Sequence, residues 1–208
     1  MLHTEFIAAR EKASRQLLVM LHGLGDSIEG YRWLPEAMNL PAMNYLLVNA
    51  PDEYYGGFSW YDYEGDMAPG VTRSRRLLFE LLEAKREEGW APERTVLGGF
   101  SQGCLMSLDA GLRYRHQLAG IVGISGYVWE PDQLLHEMTP AARQVRVLVT
   151  HGTFDPVIPI ERTRPQIKTL QQGGVQIQWH EFPKPHTIYG EVELSVIRNF
   201  VRGCCPEN

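Results

Sequence analysis

The chain has 208 residues, of which 44% are hydrophobic, 22% charged and 10% aromatic. These are globular values, and they exclude a disordered, collagen-like or coiled-coil chain. A net charge of −5, from 20 basic and 25 acidic residues, matches polyphosphate poorly and argues against nucleic acid as the main partner.

The predicted elements alternate in chain order. Thr4–Ala9 is a candidate edge strand. Strands follow at Gln16–Leu21 and Tyr45–Val48. A helical stripe of Leu77, Leu78, Leu81 and Leu82 marks a helix over Thr72–Glu88, stopped by Gly89. Then come a strand at Thr95–Gly98, a helix at Ser101–Arg113 and a strand at Ala119–Ile124. A helix at Pro131–Met138 precedes a strand at Val145–Thr150. A helix at Pro159–Gln172, a strand at Val175–Phe182 and a helix from Tyr189 to Val201 complete the series. Several strands are nearly continuous apolar runs, as in parallel strands covered on both faces. Alternation with right-handed crossovers gives a layered α/β sheet. No run approaches the ~20 apolar residues of a membrane span. Residues 1–10 lack the apolar core of a signal peptide. Cys104, Cys204 and Cys205 form no disulfide framework and no metal-ligand spacing, so the expectation is a reduced, cytoplasmic chain. No metal or cofactor is expected.

In such sheets function sits at the carboxyl ends of the strands, so the loops there carry the chemistry. Gly99-Phe100-Ser101-Gln102-Gly103 is a G-x-S-x-G between a strand and a helix. That context makes Ser101 a candidate nucleophile, held on a sharp turn that leaves its hydroxyl exposed. The alternative is a plain turn with an N-cap serine. A serine nucleophile needs a base and an orienting acid, which follow it in the order acid, then histidine. Asp155 is the carboxylate in the loop after Val145–Thr150. His186 lies just past the strand ending at Phe182, at the right end of the sheet, and is favoured over His180, which the pleat of that strand fixes. Pro185 stiffens the loop before His186 and removes a backbone donor. The oxyanion donors would be the N–H of Gln102 and, from the glycine-rich turn His22-Gly23-Leu24-Gly25-Asp26, that of Leu24. A dinucleotide reading of that turn fails, because the third glycine it requires is replaced by Ile28.

With these motifs assembled, together with His151-Gly152 ahead of Asp155-Pro156-Val157-Ile158-Pro159 and Ser59-Trp60-Tyr61-Asp62 after Ala50-Pro51, the chain resembles the phospholipase/carboxylesterase family, which includes the acyl-protein thioesterases. The resemblance covers nearly the whole chain. It implies an α/β-hydrolase fold, with a mostly parallel sheet, helices on both faces and no separate lid domain. It also implies hydrolysis of carboxylic esters, thioesters or lysophospholipids with Ser101, Asp155 and His186 as triad. An apolar acyl site would include Leu24, Phe58, Trp60, Trp129 and Val157. Family members are often dimers, so a homodimer is a further expectation. The rival reading is a ligand-binding protein that keeps a hydrolase pocket but turns over little.

Overall fold

A computed structural model describes residues 1–205. Its centre is a seven-stranded sheet. The strands are β1 (Thr4–Ile7), β2 (Gln16–Leu21), β3 (Met43–Val48), β6 (Thr95–Phe100), β7 (Gly120–Ile124), β8 (Arg146–Gly152) and β9 (Gln176–Phe182), in spatial order β1-β3-β2-β6-β7-β8-β9. β1 pairs antiparallel with β3, and every other pairing is parallel. Each predicted strand is present, with no end shifted by more than two residues. β2, β3, β6, β7 and β8 are buried almost throughout, which their unbroken apolar runs required. The exposed edge strand β9 instead alternates, with Gln176, Gln178 and His180 facing solvent.

The helices are α1 (Leu34–Met38), α2 (Met67–Glu87), α3 (Gln102–Arg113), α4 (Pro131–Glu137), α5 (Ile160–Gln172) and α6 (Gly190–Cys204). Two apolar clusters fill the two faces of the sheet. Leu17, Val19, Leu97, Leu105 and Val149 belong to the one beneath α2, α3 and α5; Leu18, Met20, Val122, Leu194 and Ile197 belong to the one beneath α1 and α6. This is the layered arrangement expected of an α/β-hydrolase, with no separate lid among the described residues.

Two features depart from the sequence reading. α2 starts at Met67, five residues before the predicted Thr72. Asp66 caps it by accepting from the Ala68 N–H at 3.0 Å, and Pro69 falls in the first turn, where a missing N–H costs nothing. The segment between Ala50 and Tyr63, read as a loop, contains a hairpin of β4 (Asp52–Tyr54) and β5 (Gly57–Ser59). Its two-residue turn, Tyr55-Gly56, takes positive φ at both positions, 44° and 89°, which matches the twist of a tight hairpin.

The chain runs from β2 outward to β3 and later returns to β6 on the other side of β2. The crevice at this switch lies above the carboxyl ends of β2 and β6. There α3 leaves β6 so sharply that backbones nearly touch. A Cβ on Gly99 would lie 2.1 Å from the Gly103 carbonyl oxygen, and one on Gly103 would lie 2.3 Å from that of Leu21. Gly103→Ala must therefore push α3 away from β2. The expected outcome is a loss of about 2 kcal/mol in urea unfolding, as for other overpacked positions, together with reduced esterase turnover.

Candidate active site

Ser101 stands between β6 and α3 with φ 54° and ψ −115°, in the region that side chains rarely occupy. The strain falls on the residue whose hydroxyl must project from the turn. Its N–H is tied to the Ile124 carbonyl at 2.9 Å, which anchors the turn to β7. Asp155 lies in the loop after β8, and His186 lies in the loop after β9. His186 Nε2 is 3.0 Å from Ser101 Oγ, and His186 Nδ1 is 2.7 Å from Asp155 Oδ2. With Nδ1 protonated, the imidazole donates to the carboxylate and accepts from the serine hydroxyl. The other carboxylate oxygen, Oδ1, accepts from the N–H groups of Val157 and Ile158, both at 2.9 Å. Those two donors fix the carboxylate's rotation, which leaves Oδ2 for the histidine. His180 has no part in this arrangement; it stacks on Phe182 along β9.

Pro185 does not displace the histidine. The loop is anchored on both sides of it. The Phe154 N–H donates to the Lys184 carbonyl, the Thr187 N–H donates to that of Pro185, and Gly152 leaves room for both carbonyls to pass close. Beneath it, the fully buried Lys184 ammonium pairs with the fully buried Glu193 carboxylate of α6, whose second oxygen accepts from the Tyr189 N–H. Burial pushes the Lys184 ammonium below its ordinary pKa, and the Glu193 charge opposes that shift. This pair ties the histidine loop to the start of α6. Only the fold shows it, because the two residues stand nine apart across a loop.

Above the serine, the Gly23–Leu24 peptide faces the start of α3. Among the described residues, neither the Leu24 N–H nor the Gln102 N–H is taken up by an acceptor. The peptide is held from behind by His22. Its Nδ1 is 2.6 Å from the Gly23 carbonyl, and its Nε2 accepts from the Ala50 N–H at 3.0 Å. Because a trans peptide points C=O and N–H in opposite directions, holding the Gly23 carbonyl aims the Leu24 N–H away from His22. The Gly25 N–H and Asp26 carbonyl bond the backbone of Phe58, so the β4–β5 hairpin clamps the same turn. The sequence reading took His22 only as the first residue of the glycine-rich turn. Its place directly before Gly23, at the end of β2, was the available signal for this second role.

The Gln102 side chain faces the other way. Its Oε1 accepts from the Trp60 N–H at 2.9 Å, and its Nε2 donates to the Tyr61 carbonyl at 3.0 Å. Trp60 is fully buried, and its indole N–H donates to the His22 carbonyl. A cavity of about 190 Å³ opens over Ser101. Leu24, Gln102, Val157, Ile158 and His186 line it beside Tyr61, Tyr63 and Tyr127. Of the residues expected at the acyl site, Leu24 and Val157 line this cavity. Phe58, Trp60 and Trp129 lie outside its lining and pack against the core on the α2, α3 and α5 face. A second depression, of about 310 Å³, meets the far side of His186 and is bounded by Trp33, Phe100 and Ile188.

The scan against family models matches residues 2–205 to Phospholipase/Carboxylesterase. The chain belongs to the phospholipase/carboxylesterase family. It is 30% identical to acyl-protein thioesterase 1 of Gibberella zeae over 215 aligned residues, covering 91% of this chain and 90% of that one. It is 33% identical to acyl-protein thioesterase 1 of Schizosaccharomyces pombe, over 68% of this chain and 69% of the relative. Among solved structures, esterase PE8 superposes with a TM-score of 0.84 at 28% identity, covering 98% of this chain and 99% of that one. Acyl-protein thioesterase 2 of Zea mays shares the fold, with a TM-score of 0.81 at 21% identity over 98% and 99% of the two chains. Membership makes this chain a serine hydrolase of the α/β-hydrolase fold that acts on carboxylic esters. Among the described residues, no helix is long and apolar enough to cross a membrane.

Burial lowers the pKa of His22 and of His151, whose ring lies beside Asp155 and bonds the Ile158 carbonyl. His22 must stay neutral to accept from the Ala50 N–H, whereas His151 is held neutral by burial, since its Nε2 donates to the Ile158 carbonyl in either form. Once unfolded, they take up a proton near the ordinary value of 6.5. Below that pH the unfolded chain binds more protons than the folded one, so stability falls as pH falls from 6.5 toward the lowered folded values. The unfolding free energy in urea is expected to decline between pH 7.5 and pH 5.5. His22→Gln should make that decline shallower.

Proposed function

We propose that Ser101, His186 and Asp155 form the catalytic triad, and that the Leu24 and Gln102 N–H groups form the oxyanion hole. The observation that carries the proposal is the chain of two hydrogen bonds, 3.0 Å from Ser101 to His186 and 2.7 Å from His186 to Asp155. Three separate loops supply these groups, and they meet at hydrogen-bonding distance.

The reaction is acyl transfer to water. His186 Nε2 takes the Ser101 proton as Oγ forms its bond to the acyl carbon. The carbonyl π electrons move to oxygen, where the Leu24 and Gln102 N–H groups meet the new negative charge. Asp155 stabilises the imidazolium without taking its proton. When the tetrahedral intermediate collapses, the bond to the leaving alcohol or thiol breaks, and His186 gives that group the proton. Water then attacks the acyl-enzyme. His186 accepts its proton and returns one to Ser101 as the carboxylic acid leaves. The thioesterase relatives support thioesters beside oxygen esters as substrates. The same reading places the enzyme, whose three thiols are all free, in the reduced cytoplasm.

A fluorophosphonate probe is expected to label the wild type rapidly and Ser101→Ala not at all, with the variant's melting curve retained. Absence of labelling in folded wild type would favour the ligand-binding alternative. Asp155→Asn leaves the imidazole without its carboxylate, and kcat should fall by about four orders of magnitude.

A further inference from the structure

The cavity over Ser101 is closed at its inner end. Tyr61 is fully buried and Tyr127 is 2% exposed. Their phenol oxygens lie 3.2 Å apart, and the Tyr127 hydroxyl reaches the Met67 sulfur of α2 at 3.6 Å. The Arg162 guanidinium lies over the Tyr127 ring, 3.8 Å from its centroid. Tyr61 is fixed from behind as well. Gln102 holds its carbonyl, and Gly70 of α2 packs so close that a Cβ there would meet the Tyr61 Cα and Cβ at 2.8 Å. These contacts make the inner wall rigid and place phenol oxygens where an alkyl chain would have to continue.

We propose that the Tyr61–Tyr127 pair is the specificity wall of this enzyme and restricts it to short acyl groups. The inference rests on the ester-hydrolase reading of the same site. The acyl group must enter the smaller cavity, because that cavity is lined by Ser101, Leu24 and Gln102, whereas none of the three lines the depression beyond His186. That depression is left for the alcohol or thiol that receives the proton from His186. An apolar cavity of roughly 150 Å³ takes up benzene, with its six heavy atoms. On that scale the cavity of about 190 Å³ holds roughly seven or eight heavy atoms, the acyl carbonyl included. A longer chain that passes Tyr63 and the half-exposed Val157 enters solvent, where further methylenes gain nothing from burial. Alternatively it must push apart the phenol pair and leave the buried Tyr61 hydroxyl without its partner.

The test is kcat/KM for a series of p-nitrophenyl esters from acetate to dodecanoate. In the wild type it should peak at about four to six carbons and fall at least about tenfold by dodecanoate. Tyr127→Ala opens the wall toward Met67 and should move the peak at least two carbons longer. Tyr127→Phe keeps the ring but removes the hydroxyl that meets Tyr61, and should move the peak less than Tyr127→Ala does. If Tyr127→Ala does not fold, Met67→Ala tests the same wall from behind and should lengthen the tolerated chain. A wild-type kcat/KM that keeps rising to dodecanoate overturns the proposal while leaving the hydrolase reading intact, as does an unmoved peak in a folded Tyr127→Ala. No turnover of any ester in the series refutes the hydrolase reading itself, and the proposal with it.

Discussion

The contact on which the site depends is the close approach of backbone at Gly99 and Gly103. A strand must end and a helix begin within a few residues, with carbonyl oxygens where any side chain would have its Cβ. That geometry forces Ser101 into positive φ and lifts its hydroxyl clear of the sheet. It also sets the start of α3 directly beneath that hydroxyl, so that the Gln102 N–H is left without an intrahelical acceptor. One packing constraint therefore presents the proposed nucleophile to the cavity and leaves one of the two proposed donors beside it. The second donor depends on the same contact, since Gly103 is what allows α3 to lie against the Leu21 and His22 carbonyls.

Around this turn, the loops are held by buried polar contacts whose protonation states matter. His22 uses both ring nitrogens, one toward the Gly23 carbonyl and one toward the Ala50 N–H, and this pattern requires the neutral ring. His151 and Lys184 are likewise pushed by burial toward their uncharged forms, and Glu193 opposes that push on Lys184. A buried pair such as Lys184–Glu193 is weak evidence for stability. Here it joins the histidine loop to α6, and its effect is to hold that loop in place. The hairpin of β4 and β5 plays a comparable part for the oxyanion turn, through main-chain bonds that do not depend on which side chains it carries.

The strands and the order of the proposed triad were legible in the sequence because each rests on a local pattern. Apolar runs mark strands buried on both faces, and G-x-S-x-G between a strand and a helix marks the turn. Asp155 and His186 were found from chain order and from their places after β8 and β9. The hairpin was not legible, because Tyr55-Gly56 is a weak turn signal and its strands have three residues each. Trp60 and Phe58 were expected to meet substrate as aromatics on an active-site loop. Instead, Trp60 donates its indole N–H to the His22 carbonyl, and the Phe58 backbone clamps Gly25 and Asp26. Aromatic character alone does not show which way a ring faces.

The sequence by itself determined the class of the fold, the direction of its strands and the chemical types at the strand ends, since these follow from hydrophobic periodicity and turn chemistry along the chain. Tertiary structure decided the dimensions. The distances within the proposed triad, the orientation of the Gly23–Leu24 peptide and the depth of the cavity over Ser101 arise from segments far apart in sequence that pack at fixed spacings. Tyr61 and Tyr127 stand 66 positions apart, and only the sheet that carries their loops brings the two hydroxyls together.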